Sequence, residues 1–266
     1  MDIEQNLSAG DSDTGAEGEE CSFPSQWYEL GGEEHFWFQW RLCAFLKQIE
    51  TLPIPIGSPM RFLDIGCGHG VLRRQLEKHT AWTIDGTDLN SDILHMDSFF
   101  RGETMLYDIM DKRKDLREFY DGLFLFDIIE HIVDTTAFIE AALYHLKPKG
   151  WVFINVPAIE ILYSFYDEVA GHIRRYDKRL LYRTVKNHPA EIQDMRYWGF
   201  CMIPVLLFRK LLLTKKMDDK TALQMGFQPK FEFINKIFKM MMKIETSALP
   251  TPFLGTSLIA SVQKSN

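Results

Sequence analysis

From Pro59 onward the chain alternates short apolar runs with stretches in which apolar residues recur every three or four positions. The runs RFLDIG (61–66), AWTIDG (81–86), ETMLY (103–107), GLFLFDI (122–128) and WVFIN (151–155) have the length of buried strands, and the intervals between them suit helices. That rhythm predicts repeated βα units and a mostly parallel sheet. Between the fourth and fifth runs, Asp134 is placed to cap a helix in which Ile139, Leu143 and Leu146 recur, and Pro148-Lys149-Gly150 is expected to stop it. A second helix is expected after Asp177, through Leu180, Leu181 and Val185 to His188. The two ends of the chain break the rhythm. Residues 24–50 read as an aromatic-rich helical segment, and residues 191–198 and 255–263 as two further strands. The gap of about fifty residues between those strands is too long for a hairpin loop, so residues 199–253 read as an inserted cap.

Composition changes this picture only at the start of the chain. With 266 residues and 46% hydrophobic positions, one domain can bury a sizeable core. The formal charge of -7 looks acidic, yet the first twenty residues hold seven acids and no Lys or Arg, which leaves 30 acids against 30 bases in the body. A neutral body argues against a general nucleic-acid grip, which would need a basic face. Residues 1–22 read as a disordered acidic tail and 23–266 as the folded domain, with 23–58 as an N-terminal cap. The tail lacks the basic start and apolar core of a secretory signal. Cysteines 21, 43, 67 and 201 form no CxxC pair, which fits a reducing, cytoplasmic setting, and no residue is assigned to a metal. The uncharged apolar stretch 197–208, bracketed by Arg196 and Arg209, is far shorter than the roughly 20 residues a bilayer span needs.

The stretch FLDIGCGHG (62–70) sits where an open α/β sheet binds ligands, at the carboxyl end of a strand. Gly66, Gly68 and Gly70 allow unusual φ and close backbone approach. A dinucleotide loop needs GxGxxG, but position 71 is Val, and no Gly-Lys-Ser/Thr follows as in a P-loop. Asp64 favours a ligand carrying positive charge, and S-adenosylmethionine has an ammonium and a sulfonium with no phosphate. A second acid should take the ribose hydroxyls. Asp85 and Asp88 compete for that role, and Asp88, as the later residue, is preferred. Asp108 and Ile109 follow the third strand and offer a carboxylate for the adenine amino group and an aliphatic face for the ring.

The ordered set LDIGCGHG, TDLN, YDIM, FDIIEHI and LKPKGWVFINVP resembles class I S-adenosylmethionine-dependent methyltransferases, especially the branch that holds the ubiquinone-biosynthesis enzymes. The resemblance implies a Rossmann-like seven-stranded sheet, its last strand antiparallel, with helices on both faces. It also implies that the HFWF-x-x-R segment closes over the cofactor, with Arg41 near the methionine carboxylate and Tyr28 and His35 facing the cleft.

On the acceptor side, methyl transfer is an in-line displacement that needs alignment and exclusion of water. A hydroxyl acceptor would use a base, and His131, after Glu130 at the end of the fourth strand, is one candidate. The segment YSFYDEVAGHIRRYDKRLL (163–181) holds a second cluster, which is similar to a D-x-x-x-G-H-x-R-R-Y pattern in a methyltransferase subgroup. There His172 could act as a base, Arg174 or Arg175 could grip a phosphate or carboxylate, and Asp167 and Tyr176 complete the set. An ion-pair network that merely holds the loop is the bland alternative. In the insertion, FEFINKIFKMMMKIE places Ile234, Ile237, Phe238 and Met241 on one helix face and Lys236, Lys239 and Lys243 on another, a pattern that fits membrane-surface contact through residues 198–243 or a cap helix. The expected function is methyl transfer from S-adenosylmethionine to oxygen or nitrogen of a small-molecule or lipid-linked acceptor. A non-catalytic binding module on the same fold is the alternative, and nothing in the sequence sets an oligomeric state.

Overall fold

The computed structural model describes residues 32–91, 100–213, 218, 219, 221–223, 232–249 and 251–266. The expectations for the acidic tail and for Tyr28 lie outside the described residues. Seven strands form one sheet: β1 (Arg61–Ile65), β2 (Thr83–Asp88), β3 (Thr104–Leu106), β4 (Tyr120–Phe126), β5 (Leu146–Pro157), β6 (Ala190–Trp198) and β7 (Ser257–Lys264). Their order is β3-β2-β1-β4-β5-β7-β6. The first five pair in parallel, and β7 runs antiparallel to both β5 and β6. Strand order reverses across β1 and β4, so a crevice opens at their carboxyl ends.

The central strands read as continuous apolar runs because both faces are covered. Phe62 and Leu63, consecutive on β1, are both fully buried against opposite layers. One layer includes α1 (Phe36–Ile49), whose Phe45 meets Phe124, Phe126 and Phe153 edge-on at 5.6, 5.6 and 4.8 Å. The other is covered by α3 (Thr135–His145) and α5 (Lys178–Val185), through Ile139, Leu143, Leu181 and Val185; α2 (Val71–His79) links β1 to β2. Asp134 accepts the Ala137 amide and Asp177 the Leu180 amide, so both helices start at the caps the sequence offers.

Both helices stop earlier than expected. Pro148-Lys149-Gly150 does not end α3; it belongs to β5, and the helix closes at His145. Pro148 disfavours helical backbone at the residue before it, so the chain is extended by Lys147. Pro189 does the same for α5, which ends at Val185 while His188 sits in a turn. β2 also lies two residues later than expected, which makes Asp88 its last residue.

The insertion forms α6 (Ile203–Leu212) and α7 (Glu232–Ala248), and a short helix, α4 (Phe165–Val169), lies after β5. The inward face of α7 carries Phe238, Met242 and Glu245. Phe238 packs 4.7 Å from Phe36, and Glu245 accepts the Gly199 and Cys201 amides, each at 2.8 Å. Ile237, expected on the apolar side, is exposed together with Phe233, Met240 and Ile244.

Candidate functional site

The glycine loop turns directly off β1. Gly66, Gly68 and Gly70 have φ of 70°, 47° and 68°, the left-handed region that glycine enters without strain. The loop is tied down by its amides: Gly66 and Cys67 donate to Thr87 O at 2.8 and 3.0 Å, and Gly68 donates to Asp88 Oδ2 at 2.8 Å. Two of the glycines are also fixed by packing. A Cβ on Gly66 would lie 2.1 Å from Ile128 Cδ1, and one on Gly70 2.3 Å from the Phe100 ring. Gly70 caps α2 and does not line the cavity, whereas Gly66 and Gly68 do.

A cavity of about 270 Å³ opens over this shelf, walled by α1, the turn after β4, the loop around α4, and α6. Asp64, Asp88, Asp127 and Arg41 lie at the shelf end. Burial pushes the Asp64 carboxyl up to about 7; the Arg73 and Arg41 charges pull against it, while Asp88 and Asp127 add to it. A carboxylate in that state gains from a cation brought beside it. Arg41 bonds Asp127 Oδ2 at 2.6 Å and lies over the Trp37 and Phe38 rings at 5.0 and 5.1 Å. Asp127 is held at φ 59°, and its Oδ1 accepts Asn155 Nδ2, whose amide oxygen accepts Trp198 Nε1. Such a left-handed non-glycine residue is held only by its surroundings.

Of the two competing acids, Asp88 lines the cavity, while Asp85 accepts Arg61, the Glu103 amide and Tyr120 inside the sheet. Five other expected residues lie outside the cavity lining among the described residues. Asp108 caps a short turn through the Met110 amide, and Ile109 is buried in the core; neither lines the cavity among the described residues. His35 caps α1 by accepting the Trp37 amide rather than facing the cleft. Tyr176 is fully buried and donates to Ile129 O, and Arg174 reaches Val133 O on the outside of the loop.

Two turns build the side of the cavity around Glu130 and His172. Asp167, fully buried, accepts His172 Nδ1 and Arg175 Nε on one oxygen, at 3.0 and 2.8 Å, and Ser164 N and Oγ on the other. Burial works to raise its pKa, but the His172 bond and the Arg175 and His172 charges outweigh burial and hold the carboxyl at about 2. Arg175 also donates to Ala158 O, so it is spent on the protein rather than held out to a substrate anion. Facing this loop, His131 Nδ1 lies 2.9 Å from Gly171 O, and the His131 and His172 rings meet edge-on at 4.8 Å. Burial, followed by the His172 charge, pushes His131 down to about 3 against the pull of the Gly171 carbonyl, so its imidazole is neutral. Glu130, His172 and Arg175 line the cavity; His131 stands immediately behind them.

Residues 37–203 match the family model described as a methyltransferase domain. The chain belongs to that family. A ubiquinone biosynthesis O-methyltransferase from Hydrogenovibrio crunogenus is 30% identical over 117 residues, 42% of this chain and 46% of that protein. The chain thus spans about half the length, or less, of the curated relatives it matches. A chain of the complex between the Haloferax volcanii Trm112 methyltransferase activator and a methyltransferase shares the fold at a TM-score of 0.58 and 12% identity, over 91% of this chain and 97% of that one. The Haemonchus contortus phosphoethanolamine N-methyltransferase 2, solved with phosphomonomethylethanolamine and S-adenosylhomocysteine, gives 0.51 at 18% identity, over 84% of this chain and 52% of that one.

The shelf suits the S-adenosylmethionine of this family. Asp64 would face the ammonium, Gly68 leaves the backbone bare, Asp88 is at hand for hydroxyls, and no lysine lines the cavity among the described residues. Several cavity residues escaped the sequence reading. Glu130 is fully buried, and Arg209 on α6 lies 4.0 Å over the Tyr166 ring. The adjacency of Glu130 and His131 was the one available signal for the first; nothing in an apolar-basic run announces the second.

Proposed function

We propose that the chain transfers a methyl group from S-adenosylmethionine to an oxygen of a small-molecule acceptor seated against Glu130, His131 and His172. One observation carries this reading: the glycine shelf and that proton-accepting cluster are opposite ends of one cavity. Bound cofactor supplies an electrophilic methyl on a sulfonium. Gly68 and Asp64 position it, while α1, through Trp37 and Arg41, covers it from water. The acceptor oxygen forms the new C–O bond as the C–S bond breaks, sulfur keeps the electron pair, and the hydroxyl proton leaves at the cluster. An amine acceptor would ask less of the buried Glu130 carboxyl and the neutral His131 imidazole, and a relative at 30% identity is named as an O-methyltransferase.

The finer reading is a greasy or lipid-linked acceptor delivered at a membrane surface. Supporting it, Leu207, Phe208 and Leu211 on α6 and Phe233, Ile237, Met240 and Ile244 on α7 are exposed beside Lys236 and Lys243. Among the described residues no helix is long and apolar enough to cross a membrane.

Isothermal titration with S-adenosylmethionine and S-adenosylhomocysteine tests the shelf. Both should bind one to one, and Gly68→Val should lose both while its circular dichroism stays that of the parent. A folded parent that binds neither would overturn the proposal.

A further inference from the structure

Three arginines line the cavity among the described residues, and two of them are spent on carboxylates: Arg41 on Asp127 at 2.6 Å and Arg175 on Asp167 at 2.8 Å. Arg209 is held in another way. Its guanidinium lies 4.0 Å over the Tyr166 ring. Stacking uses a face of a guanidinium, whereas its N–H donors lie in the plane, so the stack sets the orientation of the group and makes no demand on the donors. The helix that carries Arg209 is pinned to the loop that carries Tyr166: Lys210 donates to Ile161 O at 2.8 Å, and Leu213 is buried with Tyr166, Ala170 and Leu223. Arg209 is therefore a placed group, and it is half-buried. One turn back on the same face Leu206 lines the cavity, with Met202 a further turn away, so this wall offers a cation set in apolar surface.

The charges around this wall favour an anion. Burial is the largest influence on the Arg209 guanidinium and lowers its pKa, while Tyr166, Arg175 and Asp167 contribute less and with mixed signs. An arginine keeps its proton against such a pull. Its charge is thus retained in a poorly solvated place, where a bond to an incoming anion is strongest. Of the acids at this end, Asp167 is countered by Arg175 and bonded by His172. Burial, followed by the Asp127 charge, raises the Glu130 carboxyl well above its ordinary pKa, which lessens its repulsion of an anion.

We propose that Arg209, held flat on Tyr166, binds an oxyanion of the acceptor, a carboxylate or a phosphate, while Leu206 and Met202 take an apolar body beside it. The inference rests on the acceptor site of the proposed function and names the class of acceptor that site takes. A guanidinium matches either oxyanion through two parallel N–H···O bonds. Such a contact holds the acceptor by a group remote from its reacting oxygen, and remote binding energy is what aligns an in-line transfer.

The full chain is loaded with S-adenosylhomocysteine, whose affinity is measured first, and is then titrated by calorimetry with benzoate, phenyl phosphate and neutral benzamide. At least one of the two anions should bind about tenfold or more tighter than benzamide, and the tighter of the two assigns the oxyanion as carboxylate or phosphate. Arg209→Gln should weaken that anion about tenfold or more, the size of one lost charged hydrogen bond, and leave benzamide and S-adenosylhomocysteine unchanged. Arg209→Met, which keeps an apolar stem against Tyr166, gives the same comparison should the glutamine disturb the fold. Failure of both anions to bind, benzamide binding as well as they do, or anion affinity that survives the variants would overturn the inference. A chain that does not bind S-adenosylhomocysteine fails the proposed function instead, and the anions are then titrated into the unloaded chain and read by the same criteria.

Discussion

Asp167→Asn is the sharpest test of how the acceptor loop is held. The carboxylate takes four hydrogen bonds, from His172, Arg175, Ser164 N and Ser164 Oγ. An asparagine offers one acceptor oxygen and turns an amide group toward donors, and it leaves the buried guanidinium of Arg175 without its counter-charge. The drop of the carboxyl from its usual value near 3.8 to about 2 corresponds to roughly 2.5 kcal/mol of folded-state preference for the ionised form, at about 1.4 kcal/mol per pH unit. Stranding a buried partner costs about 3–5 kcal/mol in other proteins, so a loss of roughly 2–4 kcal/mol is expected. At about 2–4 °C per kcal/mol for a chain of this size, the melting temperature at pH 7 should fall by roughly 8 °C. A depressed carboxyl stabilises above its unfolded pKa and loses that contribution as pH falls through the folded one. The gap between parent and variant should therefore be full above about pH 4 and close towards pH 2. The double variant Asp167→Leu/Arg175→Leu should recover more than half of the loss, because no buried charge is left alone. Thermal melts over a pH series read all of this. A variant within about 2 °C of the parent at pH 7, or a gap that ignores pH, would refute the reasoning.

Two further outcomes can be checked directly. Phe45→Ala removes the ring that three sheet phenylalanines meet edge-on and should cost about 3–5 kcal/mol in urea unfolding. Phe208→Ser/Ile237→Ser should reduce co-sedimentation with anionic phospholipid vesicles without changing affinity for S-adenosylhomocysteine, and unchanged sedimentation would count against membrane delivery.

The sheet was legible because its central strands are covered on both faces and so appear as unbroken apolar runs, and the glycine loop because left-handed backbone demands that residue type at fixed positions. Helix ends were less legible: the prolines at 148 and 189 act one residue or more upstream, on backbone whose own side chains favour helix. The face of α7 was misread because apolar residues ring the helix, and only its tertiary partners, Phe36 and the Gly199 and Cys201 amides, decide which side goes in. Arg175 and Tyr176 were read as substrate groups because the acceptors that claim them, Asp167, Ala158 O and Ile129 O, lie up to 47 positions away. Glu130 shows the reverse. Its sequence neighbourhood is that of an ordinary strand end, and its lack of partners exists only in three dimensions.

The two ends of the cavity are joined by one short turn, Asp127 to His131. Asp127 faces the shelf end through Arg41 and Asn155, Glu130 and His131 face the acceptor end, and Ile128 between them fills the space that the missing side chain of Gly66 leaves. Asp127 holds a positive φ of 59° in this turn. Gly66 is thereby required twice, once by its own φ and once by Ile128. A shift of the turn that suits one ligand must be felt at the other, because the Ile128 side chain is wedged against the shelf. On the proposed reading, packing within a single turn would register donor and acceptor to each other, and in-line transfer, which tolerates little misalignment, would depend on that registration.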